Sequence, residues 1–288
     1  DVAPSRGLGD VYKRQVWTWW MDRNYPDFTY YNGEYYLNAG MSYQDLAEKL
    51  QNPDISHKKV KVTIPEGYTV FDIASTLEKK NVCSAKDFLK ACSTTEGYDY
   101  DWLADFPKND PHVGYILEGF LFPATYDFGE NSKATDIADA MLEAFDQRIT
   151  DEVKTYCKQR GYTLYQFVTL CSIVQKEALS KSSQGNIAST LENRLDKGMK
   201  IECDVTYYYA KALRDHGFSQ SVYDAYYTYR CPGLPAGPIA NPGTEIMTAT
   251  VEHPSTDYLY FFSDLKGNFH FAATYGEFES LKAKYPWK

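Results

Sequence analysis

The side chain best placed for acid–base chemistry lies in an apolar helical segment. Residues 163–178 read Thr-Leu-Tyr-Gln-Phe-Val-Thr-Leu-Cys-Ser-Ile-Val-Gln-Lys-Glu-Ala, and at about 100° per residue Phe167, Leu170, Cys171, Val174 and Ala178 share one face. Lys176 projects to the opposite side with Thr169 and Ser172, whereas Glu177 falls between Leu170 and Ile173. A carboxyl group there is partly withdrawn from water. That disfavours its charged form and raises its pKa, which suits a general acid working near neutral pH. The alternative is a helix-end glutamate that turns to solvent or pairs with a lysine. Two further carboxylates are candidates for a second role, Glu118 in a Leu-Glu-Gly turn and Asp204 just before Thr206. Glu118 could equally hold backbone N–H groups, and Asp204 could cap a helix beginning near Val205.

The elements that must position these groups follow from periodicity and turn chemistry. A short strand at Tyr35, Tyr36 and Leu37 leads to a helix from Ser42, and the theme repeats with a strand over 60–64 and a helix after Thr69. A helix over 84–92 has Ser84 as its N-cap and Asp87 in its first turn. The stretch 105–112, rich in Pro and Asp, reads as a linker. Long helices then cover about 131–159, 163–179 and 183–197. A tyrosine run follows at Tyr207, Tyr208 and Tyr209, and a second cluster at Tyr226, Tyr227 and Tyr229. Residues 233–243 are dense in Gly and Pro, which fixes the path of a loop. Beyond it come a helix over 244–252, a strand, turn, strand signature from Thr256 to Phe271 and a closing helix over 275–285.

Several separate motifs, in order, resemble those of the MltG (YceG-like) endolytic murein transglycosylases. They are V-T-I-P-E-G over 62–67, L-E-G-F-L-F-P-A-T-Y over 117–126, S-I-V-Q-K-E over 172–177, E-N-R-L-x-K-G-M over 192–199, and the Gly/Pro loop. The resemblance runs from about Tyr31 to Tyr285. It implies that Glu177 is the catalytic acid, with Gln175 standing where the family pattern has a first glutamate. Two residues along a helix is a turn of about 200°, so only one of the two can face a given cleft and activity is expected to survive this departure. Ala124, Val205 and Tyr227 stand where the pattern has Asp, Pro and Asn. The implied reaction cuts the β-1,4 bond between N-acetylmuramic acid and N-acetylglucosamine within glycan strands, leaving a 1,6-anhydro-muramyl end. Asn193, Asp204, Thr206, Tyr226, Asn241 and Glu118 are expected to contact substrate, in one elongated groove where the Glu177 helix, residues 193–206 and the Gly/Pro loop meet. Arg194 has a structural alternative, a buried pairing that ties helix to loop.

The fold implied is α+β, with a small LysM-like β/α subdomain over 31–104 and a larger, mainly helical catalytic domain with short strands over 105–288. Residues 1–30 read as an N-terminal tail, and 1–15 lack both the family pattern and clear periodicity, as a non-native leader would. The family's single N-terminal membrane anchor is expected to be absent from this chain, which would place the native protein on the extracytoplasmic face of a bacterial membrane, with peptidoglycan synthases as partners. No uncharged run reaches the roughly 18–20 residues that a span needs. A formal charge of −9 over 288 residues offers no basic stripe to nucleic acid. The six cysteines form no C-x-x-C pair and no histidine lies at zinc spacing, so neither metal nor cofactor is expected. Aromatic content of 16%, with 26 tyrosines, suits a sugar-lined groove. Two other function classes remain open, a lysozyme-type hydrolase using a second carboxylate and a non-catalytic wall-binding protein.

Overall fold

The computed structural model describes residues 8–29, 35, 40–51, 59–178 and 180–287, in two compact units, Asp1–Lys59 and Val60–Lys288. The first holds α1 (Leu8–Asn24) and α2 (Tyr43–Gln51). Ser42 and Asp45 exchange hydrogen bonds at the start of α2, where the sequence places it, and Trp17 and Trp20 both pack on Tyr43. Helix α1 begins at Leu8, inside the stretch that shows no clear periodicity in the sequence. Tyr36 and Leu37 of the expected strand lie outside the described residues. Among the described residues no helix is long and apolar enough to cross a membrane.

The second unit contains β1 (Val60–Thr63), α3 (Val70–Lys79), α4 (Ala85–Ala91), β2 (Thr125–Phe128), α5 (Ala134–Asp146), α6 (Asp151–Arg160), α7 (Leu164–Glu177) and α8 (Lys181–Asp196). It continues with α9 (Asp204–Asp215), α10 (Gln220–Tyr226), α11 (Thr244–Val251), β3 (Tyr260–Ser263), β4 (Phe269–Ala272) and α12 (Tyr275–Lys284). The class is α+β, about half helical, and the described residues form two small antiparallel sheets, β1 with β2 and β3 with β4. Helices α3, α7 and α12 each begin with a reciprocal capping box, Thr69 with Asp72, Thr163 with Gln166 and Thr274 with Glu277, which satisfies two otherwise orphaned N–H groups per helix.

Three sequence expectations change. The helix expected over 131–159 is two helices. Thr150 accepts from the Val153 N–H and is followed by Asp151 and Glu152, an N-terminal signature that overrides the continuous apolar pattern. The stretch 105–112 is pinned to the core by Phe106, whose ring lies 4.5 Å from Phe120 and 4.9 Å from Tyr165. The strand over 60–64 pairs with Thr125–Phe128 from beyond position 105, and Ile73, Leu77 and Phe88 share one hydrophobic cluster with Met141 and Phe167. Residues 60–91 are thus part of the same core as α7.

Helix α7 sits inside that core, packed by α6, α8, α9 and α11. Thr169 and Ser172, expected on the exposed side, are buried. Their hydroxyls can afford burial because each donates back to a helix carbonyl, of Tyr165 and of Thr169. Past Gln166 in its first turn, the helix meets its surface again only at Gln175 and beyond.

Candidate functional site

Glu177 ends α7 in a cavity of about 580 Å³. One wall is the segment Ile201–Asp204 leading into α9, with Tyr229. Facing it are the β3–β4 hairpin through Tyr260 and Phe262, α12 through Tyr275 and Phe278, and Trp287 just past α12. Tyr260 and Phe262 are two apart on β3, so they share a face, and both rings pack on Phe278.

The electrostatics of Glu177 follow from this position. Burial pushes its carboxyl up to about 7; the Cys203 thiol pulls it back, the negative Asp204 raises it further, and the Val205 N–H lowers it. The carboxyl also terminates its own helix, at the negative end of the dipole, which favours the protonated form. A partly buried, neutral carboxylic acid in an aromatic cavity is what a general acid near pH 7 requires.

A carboxyl raised in the folded state makes stability depend on pH with a definite sign. The folded chain keeps a proton on Glu177 that the unfolded chain releases from its ordinary value of 4.5 upward, so this contribution is complete below about 4.5 and lost as pH rises through about 7. Glu177→Gln has no such proton to lose. Its urea midpoint relative to the unsubstituted chain should therefore rise between pH 5 and pH 8; a constant difference would show that the folded carboxyl titrates normally.

Of the residues expected in the groove, the structure brings Asp204 beside Glu177. Asp204 is the first residue of α9 rather than its cap, which is Cys203, and its Oδ1 accepts a 3.0 Å hydrogen bond from the Tyr229 hydroxyl. The others do not line the cavity. Asn193 donates to the carbonyls of Thr256 and Tyr258. Thr206 is fully buried, donating to the Cys203 carbonyl and pairing with the Thr228 hydroxyl. Tyr226 is fully buried and its hydroxyl accepts from the Gly114 N–H. Glu118 and Asn241 form one buried unit. Asn241 Nδ2 donates to Glu118 Oε1 and to the Tyr68 carbonyl, Asn241 Oδ1 accepts from the Leu121 N–H, and Glu118 Oε2 accepts from the Val70 N–H at the start of α3. Of the two alternatives for Glu118, the backbone-holding one is realised; burial also pushes it up to about 7.

The Gly/Pro loop lies away from the Glu177 cavity, and the geometry of α7 explains why. Gln175 is about 200° around the helix from Glu177, and its Oε1 accepts from the Gly243 N–H at 3.0 Å, while Ser172 Oγ accepts from the Ile239 N–H at 3.0 Å. The loop is thus held on the flank opposite the acid. Gly119 lets it approach the L-E-G turn: with φ 87°, a Cβ there would meet Pro238 Cβ at 2.5 Å. Because a carboxylate accepts from an N–H at least as well as an amide oxygen does, Gln175→Glu should leave the rate of any Glu177-dependent reaction within a few-fold. A collapse of activity would mean that position 175 reaches the reacting bond.

The E-N-R motif does positional work that sequence reasoning only partly saw. Glu192 accepts from the Tyr156 hydroxyl and bonds His253 Nε2 at 2.9 Å, Asn193 holds Thr256 and Tyr258, and Arg194 donates to the Lys200 and Leu259 carbonyls at 2.8 and 2.9 Å. Three successive residues of α8 thereby fix residues 253–259, which lead into β3 and the far wall of the cavity. Arg194, 6% exposed, also pairs with Glu202, which is held at φ 54°, a conformation costly for a residue with a Cβ. Arg194 is buried and ties helix to loop as anticipated, but through the Lys200 and Leu259 carbonyls and an exposed Glu202 rather than a buried ion pair. What sequence reasoning missed is the aromatic wall; the alternation of Tyr260 and Phe262 was its signal.

A model of the YceG-like family matches residues 8–284. A Bacillus subtilis (strain 168) protein named endolytic murein transglycosylase is 30% identical over 263 residues, covering 88% of this chain and 72% of that protein. One of the same name from Streptococcus pneumoniae serotype 2 (strain D39) is 29% identical over 275 residues, and the match spans 87% of this chain but about half, 49%, of the pneumococcal protein. The crystal structure of a putative yceG-like protein from Listeria monocytogenes superposes with a TM-score of 0.64 at 29% identity, covering 93% of this chain and 90% of that one. With the family model reaching across both units and the same fold recurring in a crystal structure, the chain belongs to the YceG-like family.

Proposed function

We propose that the chain is an endolytic murein transglycosylase whose catalytic acid and base is Glu177. The observation that carries this is the Glu177 carboxyl, partly buried at the head of an aromatic cavity and held up at about 7. Protonated, it gives its proton to the glycosidic oxygen between N-acetylmuramic acid and N-acetylglucosamine as the C1–O bond breaks. As a carboxylate it then takes the proton of the muramyl C6 hydroxyl, whose oxygen closes on C1. The carboxyl returns to its starting state and a 1,6-anhydro end results. Attack within one sugar gains from proximity and needs no activated water.

Asp204 in the same cavity favours one competing reading, a hydrolase in which it serves as the second carboxylate. The chemical end of the product separates the two. Mass spectrometry of purified peptidoglycan after incubation should show internal cleavage and anhydro-muramyl ends. Reducing muramyl ends would establish the hydrolase, and binding without cleavage the wall-binding protein.

The remaining features of the reading go with this function. Residues 31–104 would act as a LysM-like module holding glycan near the cavity by effective concentration, although residues 60–91 also complete the core around α7. An N-terminal anchor would keep the enzyme on the extracytoplasmic face of the membrane, where peptidoglycan synthases supply nascent strands.

A further inference from the structure

We propose that a row of tyrosines leading out of the Glu177 cavity is an extended binding track for the amino-sugar polymer, an inference that rests on the glycan-cleaving function above. Tyr229 lines the cavity and is 40% exposed. Its ring lies 5.3 Å from that of Tyr227, Tyr227 lies 5.5 Å from Tyr207, and Tyr207 lies 5.5 Å from Tyr208. The row thus continues from the cavity to the first turns of α9 in steps close to the spacing of successive pyranose rings in a β-1,4 chain. Neighbouring rings are turned by 42°, 60° and 67°, so the row offers ring edges and hydroxyls along with ring faces.

The fold accounts for part of this row, since Tyr207 and Tyr227 are half-buried against the core, and leaves the rest to solvent. Of the three consecutive tyrosines on α9, Tyr209 is buried at 4% exposure, Tyr207 packs half-buried against the core, and Tyr208 is 66% exposed. Among the described residues no hydrogen bond uses the side-chain hydroxyl of Tyr207, Tyr208 or Tyr227. Tyr227 moreover stands where the resembled pattern has Asn. Rings with free hydroxyl tips offer a sugar both an apolar face for its C–H groups and a hydrogen-bonding partner.

Continuity and charge point to the occupant. An enzyme that cuts within a strand must hold sugars on both sides of the bond, and across the cavity the exposed rings of Tyr275 and Trp287 provide the other side. Arg230, held by Asp224, places its guanidinium 5.7 Å from the centre of the Tyr227 ring, next to a path that a carboxylate-bearing muramyl polymer would take.

The test compares long glycan strands with tetrasaccharide substrate, using Tyr208→Ala and Tyr227→Asn. Tyr208 is exposed, so its loss leaves the fold intact, and circular dichroism checks both variants. The ratio of kcat/KM on long strands to that on tetrasaccharide should fall about tenfold, the scale of one aromatic stacking contact, with the change in KM for long strands. An unchanged ratio in both variants, with the unsubstituted chain active on both substrates, overturns the track alone. If the unsubstituted chain cleaves neither substrate, the glycan-cleaving function fails and the track with it.

Discussion

Glu177→Gln is expected to lower turnover on peptidoglycan by about 10²- to 10⁴-fold, the usual scale of a general acid–base contribution. The amide keeps the shape of the carboxyl and can still accept from the Val205 N–H, so what is lost is the transferable proton. The fold should be unchanged, and substrate affinity nearly so. Asp204→Asn separates the two chemistries. In a transglycosylase with one acid and base, Asp204 contributes only its negative field and its bond to Tyr229, and its loss should cost clearly less than that of Glu177. Equal losses, with reducing ends in the residual product, would show two carboxylates at work. Wild-type-like turnover in purified Glu177→Gln would remove Glu177 from the mechanism.

The burial of Glu177 was legible in the sequence because a carboxylate on the apolar side of a helix is a local anomaly; its role as the acid came only with the family resemblance. The helix starts were legible for the same reason: Thr69, Ser84 and Thr163 act within three residues of themselves. The walls of the cavity were not. Asn193 and Asn241 belong to motifs expected at the site, yet their amides are used up on Thr256, Tyr258, Tyr68 and Glu118, and nothing in a sequence tells an amide that faces sugar from one that faces carbonyls. The hairpin that does face Glu177 arrives from about 85 residues further along the chain. Its approach depends on what Glu192, Asn193 and Arg194 grip, and such long-range pairing leaves no trace in local periodicity.

The buried Asn241–Glu118 pair offers the clearest way to tell a structural residue from a substrate contact. Both side chains are fully buried. Asn241 answers the Glu118 carboxyl, the Tyr68 carbonyl and the Leu121 N–H at 2.8–2.9 Å. Asn241→Ala leaves a Glu118 oxygen and the Leu121 N–H facing a small hole, while the Tyr68 carbonyl keeps its 2.9 Å bond from the backbone N–H of position 241; each unsatisfied buried group costs about 1–3 kcal/mol and the hole adds to that. Some relief comes from Val70 and Gly119, whose N–H groups still serve Glu118. A net loss of about 3 kcal/mol is therefore expected, enough to lower Tm by roughly 6–12 °C in a chain of this size. Since Asn241 lies apart from the Glu177 cavity, kcat per folded molecule and KM for short glycans should stay within a few-fold below the new Tm. The converse result, an unchanged Tm with a large rise in KM, would return Asn241 to the sugar groove and mean that the loop opens to admit substrate.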